Sequence, residues 1–243
     1  MPEKYELEDR NGDVIKYVPS KGQKELNKAW ADMCASGHYD FVVVNGDVCD
    51  GPQRKSMGKN VITNDLGAQV DAAVELLSMI DADQFYFTQG SEYHCMEDRP
   101  LEALVAEKMG GIFGDDLILE VEGVRIHASH NVPVSGSSWQ YRSTPLARDL
   151  LLLELNNSVK KYGKIDAAIR SHAHYYVTVG FKHQFGVITP CWQTRTPFAV
   201  KKDLISPPDI GYVTLHIDGN EIYHRGKFYN IGVPSRSVRV EGV

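Results

Sequence analysis

Acidic and imidazole side chains follow two apolar segments that lie far apart in the sequence. Asp47 and Asp50 come shortly after the apolar run 41–44, and His172 and His174 follow a second apolar segment well downstream. Taken alone, the two aspartates are typical of an ordinary turn after a strand. The two histidines occupy positions i and i+2, so an extended tip would direct both rings to one side. Together the groups favour a metal site, because carboxylate and imidazole are common ligands of divalent metals.

Two other histidines follow predicted strands in the same way. His94 ends the polar segment 89–94, in which Gly90 allows the backbone to approach a ligand closely. Alone it is typical of a surface histidine, but an imidazole at such a tip is suited to protonating a phosphate oxygen. His130 ends the apolar face of strand 124–130 and is a candidate ligand, whereas His127 points to the other face and is not one.

The rest of the sequence predicts an α/β protein that places these tips together. The run 41–44, ended by Asn45 and Gly46, is typical of a strand covered on both faces. The carboxyl ends of such strands form the functional edge of an α/β sheet. Apolar residues at helical spacing predict helices over residues 22–35, 66–80, 98–110 and 145–163, the third capped by Asp98. Hairpins are predicted within residues 1–20, 117–130, 175–189 and 213–228.

Length and composition indicate one globular domain over residues 1–243. Hydrophobic residues make up 42% and charged residues 24% of the chain, so disorder is not indicated. The net charge of −6 argues against a broadly basic nucleic-acid clamp. The four cysteines form no Cys-X-X-Cys pair, which favours a reducing compartment. With no apolar run long enough for a membrane span and no signal sequence, a cytoplasmic protein without a membrane partner is expected.

In order and approximate spacing, these segments resemble the calcineurin-like metallophosphoesterase family. The resemblance covers residues 22 to about 195 and rests on four motifs. They are Gly46-Asp47-X-X-Asp50-Gly51, the segment from Gly90 to His94, His130 at a strand end, and His172-Ala-His174. The last of these, with the stretch 142–148, is most similar to phage-associated members. The resemblance implies an α/β fold in four layers, an α-β-β-α sandwich with two mixed sheets.

The resemblance also implies a role for each tip residue. Asp47 would bridge two divalent metal ions, His130 and His172 would complete the shell of the second ion, and His174 would bind the first. His94 would stabilise the phosphate and protonate the leaving group. Carboxylate and imidazole ligands suit Mn, Fe, Ni or Zn, and two such ions would activate water for attack on a phosphate ester.

The sequence departs from the family pattern at two places. The metal-binding Asn of the family is absent, and Glu92 or Ser91 is offered as the replacing ligand. The first strand, which carries an Asp-X-His motif, has no counterpart in residues 1–40. A misplaced start, a split gene and a real loss all remain open. We expect a first strand missing from the fold, an unpaired sheet edge in its place, and an impaired first metal site that leaves one ion instead of two.

Two functions therefore stay open at the level of sequence. One is a metal-dependent phosphoesterase that acts on phosphate esters, chiefly phosphodiesters with nucleic acid among the candidates, and whose full activity requires the missing segment. The other is a non-catalytic remnant, or one piece of a split enzyme, that keeps the fold and a partial metal site. The natural substrate and the oligomeric state cannot be read from the residues.

Overall fold

The computed structural model describes nine stretches of the chain. They are residues 5–8, 14–53, 61–92, 94, 99–132, 139–158, 162–194, 207–219 and 221–231. The predicted helix cap at Asp98 lies outside them. The four described helices are α1 (Lys21–Cys34), α2 (Leu66–Leu77), α3 (Leu101–Met109) and α4 (Thr144–Ser158). None of these helices has the length and apolar character needed to cross a membrane.

Twelve strands are present in the described residues. In chain order they are β1 (Tyr5–Glu8), β2 (Val14–Tyr17), β3 (Tyr39–Asn45), β4 (Ala82–Thr88), β5 (Ile112–Gly114), β6 (Leu117–Val121), β7 (Val124–Ala128), β8 (Ala167–Arg170), β9 (Val177–Phe181), β10 (Gln184–Ile188), β11 (Gly211–Asp218) and β12 (Glu221–Phe228). All the predicted helices and hairpins are found, with bounds that differ by a few residues. Strand β5 was not predicted.

Two sheets form the centre of the molecule. One has the order β3-β4-β5 and is parallel over its described strands. The other has the order β6-β7-β8-β10-β9 and is mixed, with parallel pairs at β7-β8 and β8-β10. Strand β3 lies at an edge among the described strands, where the sequence predicted an unpaired edge. The pairs β1-β2 and β11-β12 are separate antiparallel hairpins.

Strand β3 shows how the layers are stacked. Val42 and Val44 pack into the core that helices α1 to α3 form with the three-stranded sheet. Phe41 and Val43 point the other way, into the core between the two sheets. Successive side chains of a strand alternate between faces, so this strand is covered on both sides, as the sequence predicted. The run 41–44 thus contributes side chains to two separate hydrophobic cores.

Helix α4 covers the outer face of the five-stranded sheet. Its inward residues Leu146, Leu150 and Leu153 are buried against that sheet. The layers are therefore helices, sheet, sheet and helix, and the predicted α-β-β-α architecture is confirmed. Only one of the two sheets is mixed as predicted, because helices α2 and α3 connect the described strands of the other sheet and make them parallel. The apolar residues predicted along α4 are not all buried, because Leu151, Leu152 and Leu155 face outward.

A buried charged network ties α4 to the sheet beneath it. The Arg170 guanidinium, 2% exposed, donates from Nη1 to the carbonyl oxygens of His127 and Ile169 at 2.9 and 2.8 Å. Its Nη2 donates to His127 Nδ1 at 2.8 Å and lies 2.7 Å from Asp149 Oδ2 on α4, an ion pair without hydrogen-bond alignment. His127 Nε2–H in turn donates to Asp116 at 2.8 Å. His127 is thus structural, in line with its exclusion as a ligand.

Candidate metal site

Three strand tips from both sheets converge on one point. Asp47 follows β3 in the parallel sheet, while His130 and His172 follow β7 and β8 in the mixed sheet. One ligand atom from each of these residues lies within 4.8 Å of the other two. Among the described residues this is the one group of three or more acidic, histidine or cysteine side chains with such spacing. The convergence that the sequence predicted is therefore present for these three residues.

The His130 ring is oriented by a backbone carbonyl. Its Nδ1–H donates to the carbonyl oxygen of Asn45 at 2.7 Å, and the side chain is almost fully buried. The opposite atom, Nε2, is thereby directed at Asp47 Oδ2, 2.9 Å away, and at His172 Nδ1, 3.2 Å away. A hydrogen bond of this kind on the outer nitrogen is how metal-binding imidazoles are commonly held. His130 therefore presents its inner nitrogen to the site in a fixed direction.

The carboxylate of Asp47 is held by Ser91. The backbone N–H and the hydroxyl of Ser91 both donate to Asp47 Oδ1, at 2.7 and 3.0 Å. Asp47 has a φ of +51°, a left-handed conformation that costs a non-glycine residue energy and often occurs at functional sites. Gly90 makes this approach possible, since a Cβ there would lie 2.4 Å from the Asp47 nitrogen and 2.5 Å from Oδ1.

Asn45 joins the strand ends beneath the site. Its side-chain Nδ2 donates to the Ser129 carbonyl oxygen at 3.1 Å and to Ser171 Oγ at 2.8 Å. Its Oδ1 accepts from Thr88 Oγ1 at 2.7 Å. These partners belong to the ends of β4, β7 and β8, so a single amide links the two sheets at the edge where the ligands emerge. From sequence, Asn45 was predicted only to end the strand.

His94 lies next to the three-residue group. Its Nδ1–H donates to the Asp50 carbonyl oxygen at 2.7 Å, and its Nε2 lies 3.9 Å from Asp47 Oδ2. That second distance is too long for a hydrogen bond. Gly51 allows the close packing, since a Cβ there would lie 2.4 Å from the His94 carbonyl oxygen. The partly exposed imidazole is thereby fixed beside the carboxylate.

Burial and charge shift the pKa values of the ligands in opposite directions. Burial acts to raise the pKa of Asp47, but the hydrogen bond and charge of His130, with His94 and Ser91, outweigh it and lower that pKa to about 2. Burial acts to lower the pKa of His130, but Asp47 and the Asn45 carbonyl raise it. Burial and the neighbouring His130 lower the pKa of His172. The group therefore combines an ionised carboxylate with a second imidazole that favours its neutral, metal-binding form.

The tip after β8 differs from the predicted extended chain. The strand ends at Arg170, and His172 and His174 have φ values of +65° and +56°. The extended tip that would direct both rings to one side is therefore absent, because the backbone turns at His172. His174 does not join the three-residue group, although burial lowers its pKa and its imidazole interacts electrostatically with Asp47.

Of the two residues offered as replacements for the family's Asn, only Ser91 contacts the group. Glu92 is exposed and does not join the group of ligand atoms. A residue that the sequence analysis missed, Glu102 on α3, is only 1% exposed and accepts a long hydrogen bond of 3.4 Å from the Val48 N–H. Burial raises its pKa, and the charge of Asp47 adds to the effect. Glu102 follows Pro100 and Leu101 in a sequence that is typical of the start of a helix, so no sequence pattern indicated a functional role for it.

The donor set and its spacing fit a divalent transition metal. One carboxylate oxygen and two imidazole nitrogens are typical ligands of Zn and of Mn, Fe or Ni. At metal–nitrogen distances of about 2.0–2.1 Å, tetrahedral ligands lie about 3.3 Å apart. The pairs that His130 forms with Asp47 and His172, at 2.9 and 3.2 Å, therefore need to separate by only a few tenths of an ångström. The third pair, between Asp47 and His172, lies within 4.8 Å.

No protein-family model matches this sequence, and a search of curated proteins finds no match. Among solved structures, a single mutant of Vps29 from Entamoeba histolytica aligns with a TM-score of 0.46 at 13% identity, covering 84% of this chain and 89% of that one. Wild-type Vps29 from the same organism, complexed with zinc, gives 0.38 at 13%, covering 80% and 97%. A novel archaeal phosphodiesterase gives 0.38 at 12%, covering 64% and 76%. With every score below 0.5, these likenesses assign this chain neither family nor function.

Proposed function

We propose that the chain is a metal-dependent phosphoesterase that hydrolyses phosphodiesters, with nucleic acid among the candidate substrates. The observation that carries the proposal is the convergence of Asp47, His130 and His172, from three strand tips, within 4.8 Å of one another. The calcineurin-like metallophosphoesterase family, phage-associated type, is part of the proposal and rests on the motif resemblance. A single domain, a cytoplasmic location and a metal chosen among Mn, Fe, Ni and Zn remain predictions.

Each residue has a proposed task. Asp47, His130 and His172 hold the ion, which when bound would polarise a phosphoryl oxygen and make water a stronger nucleophile. Ser91 and the Asn45 carbonyl fix the directions of Asp47 and His130. His94, anchored through Nδ1, keeps Nε2 beside Asp47 and partly exposed, so it would protonate the leaving-group oxygen.

The proposal leaves two tip residues with secondary roles. His174 interacts electrostatically with the group and is proposed as a ligand of a further ion. Glu92, exposed beside Ser91, is proposed as a ligand only if the segment 89–94 rearranges on metal binding.

A second candidate is a non-catalytic metal-binding domain. It is favoured by the count of ligands, since the described residues contain one three-donor group, sufficient for one ion, whereas the two-ion chemistry implied by the resemblance needs more. The two candidates share the metal site and differ in turnover. Both predict metal binding through Asp47, and only the phosphoesterase predicts a role for His94 in catalysis.

Hydrolysis of bis(p-nitrophenyl) phosphate with added Mn²⁺ separates the candidates. The phosphoesterase predicts turnover that falls below detection in Asp47→Asn and by roughly 10²–10⁴-fold in His94→Gln, because a general acid contributes about that factor. His38→Gln is the matched control, since His38 contacts Asp81 and Asp83 at the opposite end of β3. Metal binding without turnover, with this substrate and with single-stranded DNA and RNA, would leave the non-catalytic domain.

A further inference from the structure

Glu102 is a buried carboxylate to which the proposed function gives no task. It lies in the first turn of α3 and is only 1% exposed. Its Oε1 accepts the Val48 N–H at 3.4 Å, and its own backbone N–H also favours the charged form. Among the residues that the structure describes, its Oε2 has no hydrogen-bond partner. Burying an ionised carboxylate is costly unless hydrogen bonds or an opposite charge compensate it, so these contacts leave Glu102 undercompensated.

Glu102 is a close neighbour of the Asp47 carboxylate. Gly90 separates the two side chains, since a Cβ there would lie 2.7 Å from Glu102 Oε1 and 2.5 Å from Asp47 Oδ1. The N–H that Glu102 accepts belongs to the residue that follows Asp47. Glu102 also interacts electrostatically with Asp47 and with His130. Two neighbouring carboxylates repel each other, and a cation beside them would offset this repulsion.

The three-donor group by itself does not neutralise a divalent ion. Imidazoles bind metals in their neutral form, so Asp47 supplies the one negative charge of that group against the two positive charges of the ion. A second carboxylate close to Asp47 would balance the remaining charge, and Glu102 has that place. Asp50, the other carboxylate of this loop whose pKa is raised by burial, interacts with His94 instead.

We propose that Glu102 is a positioning residue of the metal site, whose buried negative charge strengthens the binding of a divalent cation by the Asp47 group. Glu102 is not a direct ligand, since it lies outside the three-donor group. The inference rests on the metal site of the proposed function and does not depend on turnover. Groups that support metal ligands from behind typically contribute about 10–100-fold to metal affinity.

A purely structural role makes the opposite prediction. A carboxylate in the first turn of a helix is favourable, because the N-terminus of a helix carries a partial positive charge. If Glu102 served only the start of α3, its loss would lower the stability of the metal-free chain and leave metal affinity unchanged. If it serves the ion, its loss removes an undercompensated buried charge from the metal-free chain and weakens metal binding.

Glu102→Gln separates the two roles, because glutamine keeps the size of the side chain and an acceptor for the Val48 N–H while removing the charge. Calorimetric titration with Mn²⁺ should show affinity about 10–100-fold below that of the wild type. The difference should persist in about 0.5 M NaCl, since a buried charge is screened little by salt. Urea unfolding of the metal-free variant should give a midpoint equal to or above that of the wild type.

Glu107→Gln is the matched control on the same helix. Glu107 is exposed and pairs with Arg99, so its replacement should leave Mn²⁺ affinity unchanged. Mn²⁺ affinity of Glu102→Gln equal to that of the wild type would overturn the proposal, and so would a metal-free variant that is less stable than the wild type or does not fold. A wild-type chain that binds neither Mn²⁺ nor Zn²⁺ would refute the metal site itself, a result distinct from failure of the Glu102 variant alone.

Discussion

Replacing Arg170 with methionine tests how α4 and the end of β8 are held together. The methionine keeps the length and apolar character of the stem but removes the guanidinium, which is 2% exposed. Asp149, whose side chain is 17% exposed, then keeps its charge without its partner. His127 loses both the donor to its ring and the donor to its carbonyl oxygen.

The expected cost follows from these losses. Removing one partner of a buried ion pair costs about 3–5 kcal/mol, because the remaining charge is left in a poorly solvated place. We therefore expect the free energy of unfolding in urea at pH 7.5 to fall by about 3–5 kcal/mol. Adding Asp149→Leu to Arg170→Met removes the unpaired charge and should restore at least about 2 kcal/mol of the lost free energy of unfolding.

The double variant decides whether this reasoning holds. A loss below about 1 kcal/mol for Arg170→Met would show that the network is not what fixes α4. A double variant as unstable as the sum of the two single variants would show that Arg170 and Asp149 act independently. Arg170 lies two residues before His172, so the single variant should also weaken metal binding, measurable by calorimetry in the fraction that remains folded.

Three further predictions concern the site and its supports. Gly90→Ala should weaken metal affinity tenfold or more and destabilise the fold by about 1–3 kcal/mol, because the new methyl group displaces Asp47. Calorimetry and urea unfolding measure the two effects. Gly180→Ala is the control, since a Cβ there meets nothing within 4 Å. Asn45→Ala should lower the free energy of unfolding in urea by about 2–4 kcal/mol, since three side-chain hydrogen bonds are lost. A loss under about 1 kcal/mol would show that the Asn45 amide does not hold the two sheets together. Burial and the neighbouring Arg170 guanidinium lower the pKa of His127 from 6.5, so as the pH falls the unfolded chain binds a proton at His127 before the folded chain does. The free energy of unfolding should therefore be unaffected by His127 above pH 6.5 and should decline as the pH falls below it. His127→Gln should reduce this pH dependence.

The layers and the convergence of the tips could be predicted from sequence. The run 41–44 is apolar at every position, which requires cover on both faces, and it stops at Asn45 and Gly46. The residues that follow such strands lie at the edge of the sheet formed by the carboxyl ends of the strands. The alternation along 124–130 placed His130 on the buried face and His127 on the other, and the structure agrees.

The rest depends on contacts between residues that are distant in the chain. Arg170 meets Asp149 only because α4 folds back over the sheet, and Asn45 meets Ser129 and Ser171 only because two sheets end together. The left-handed backbone conformation at His172 occurs without a glycine, so the sequence contains no residue that predicts it. No local pattern carries such information.

The same limit applies to which apolar residues are buried. The leucines of α4 form a stripe wider than the sheet can cover, and periodicity cannot tell which of them face outward. Short β5 was missed for a related reason, because three residues are too few for a pattern.

Calorimetric titration of the metal-free chain with Mn²⁺ tests the central claim most directly. The account predicts saturable binding that is weakened at least tenfold, about 1.4 kcal/mol, by Asp47→Asn and by His130→Gln, and that is unchanged by His38→Gln. Binding of equal strength in all four proteins, or no binding by the wild type to Mn²⁺ or Zn²⁺, would contradict it.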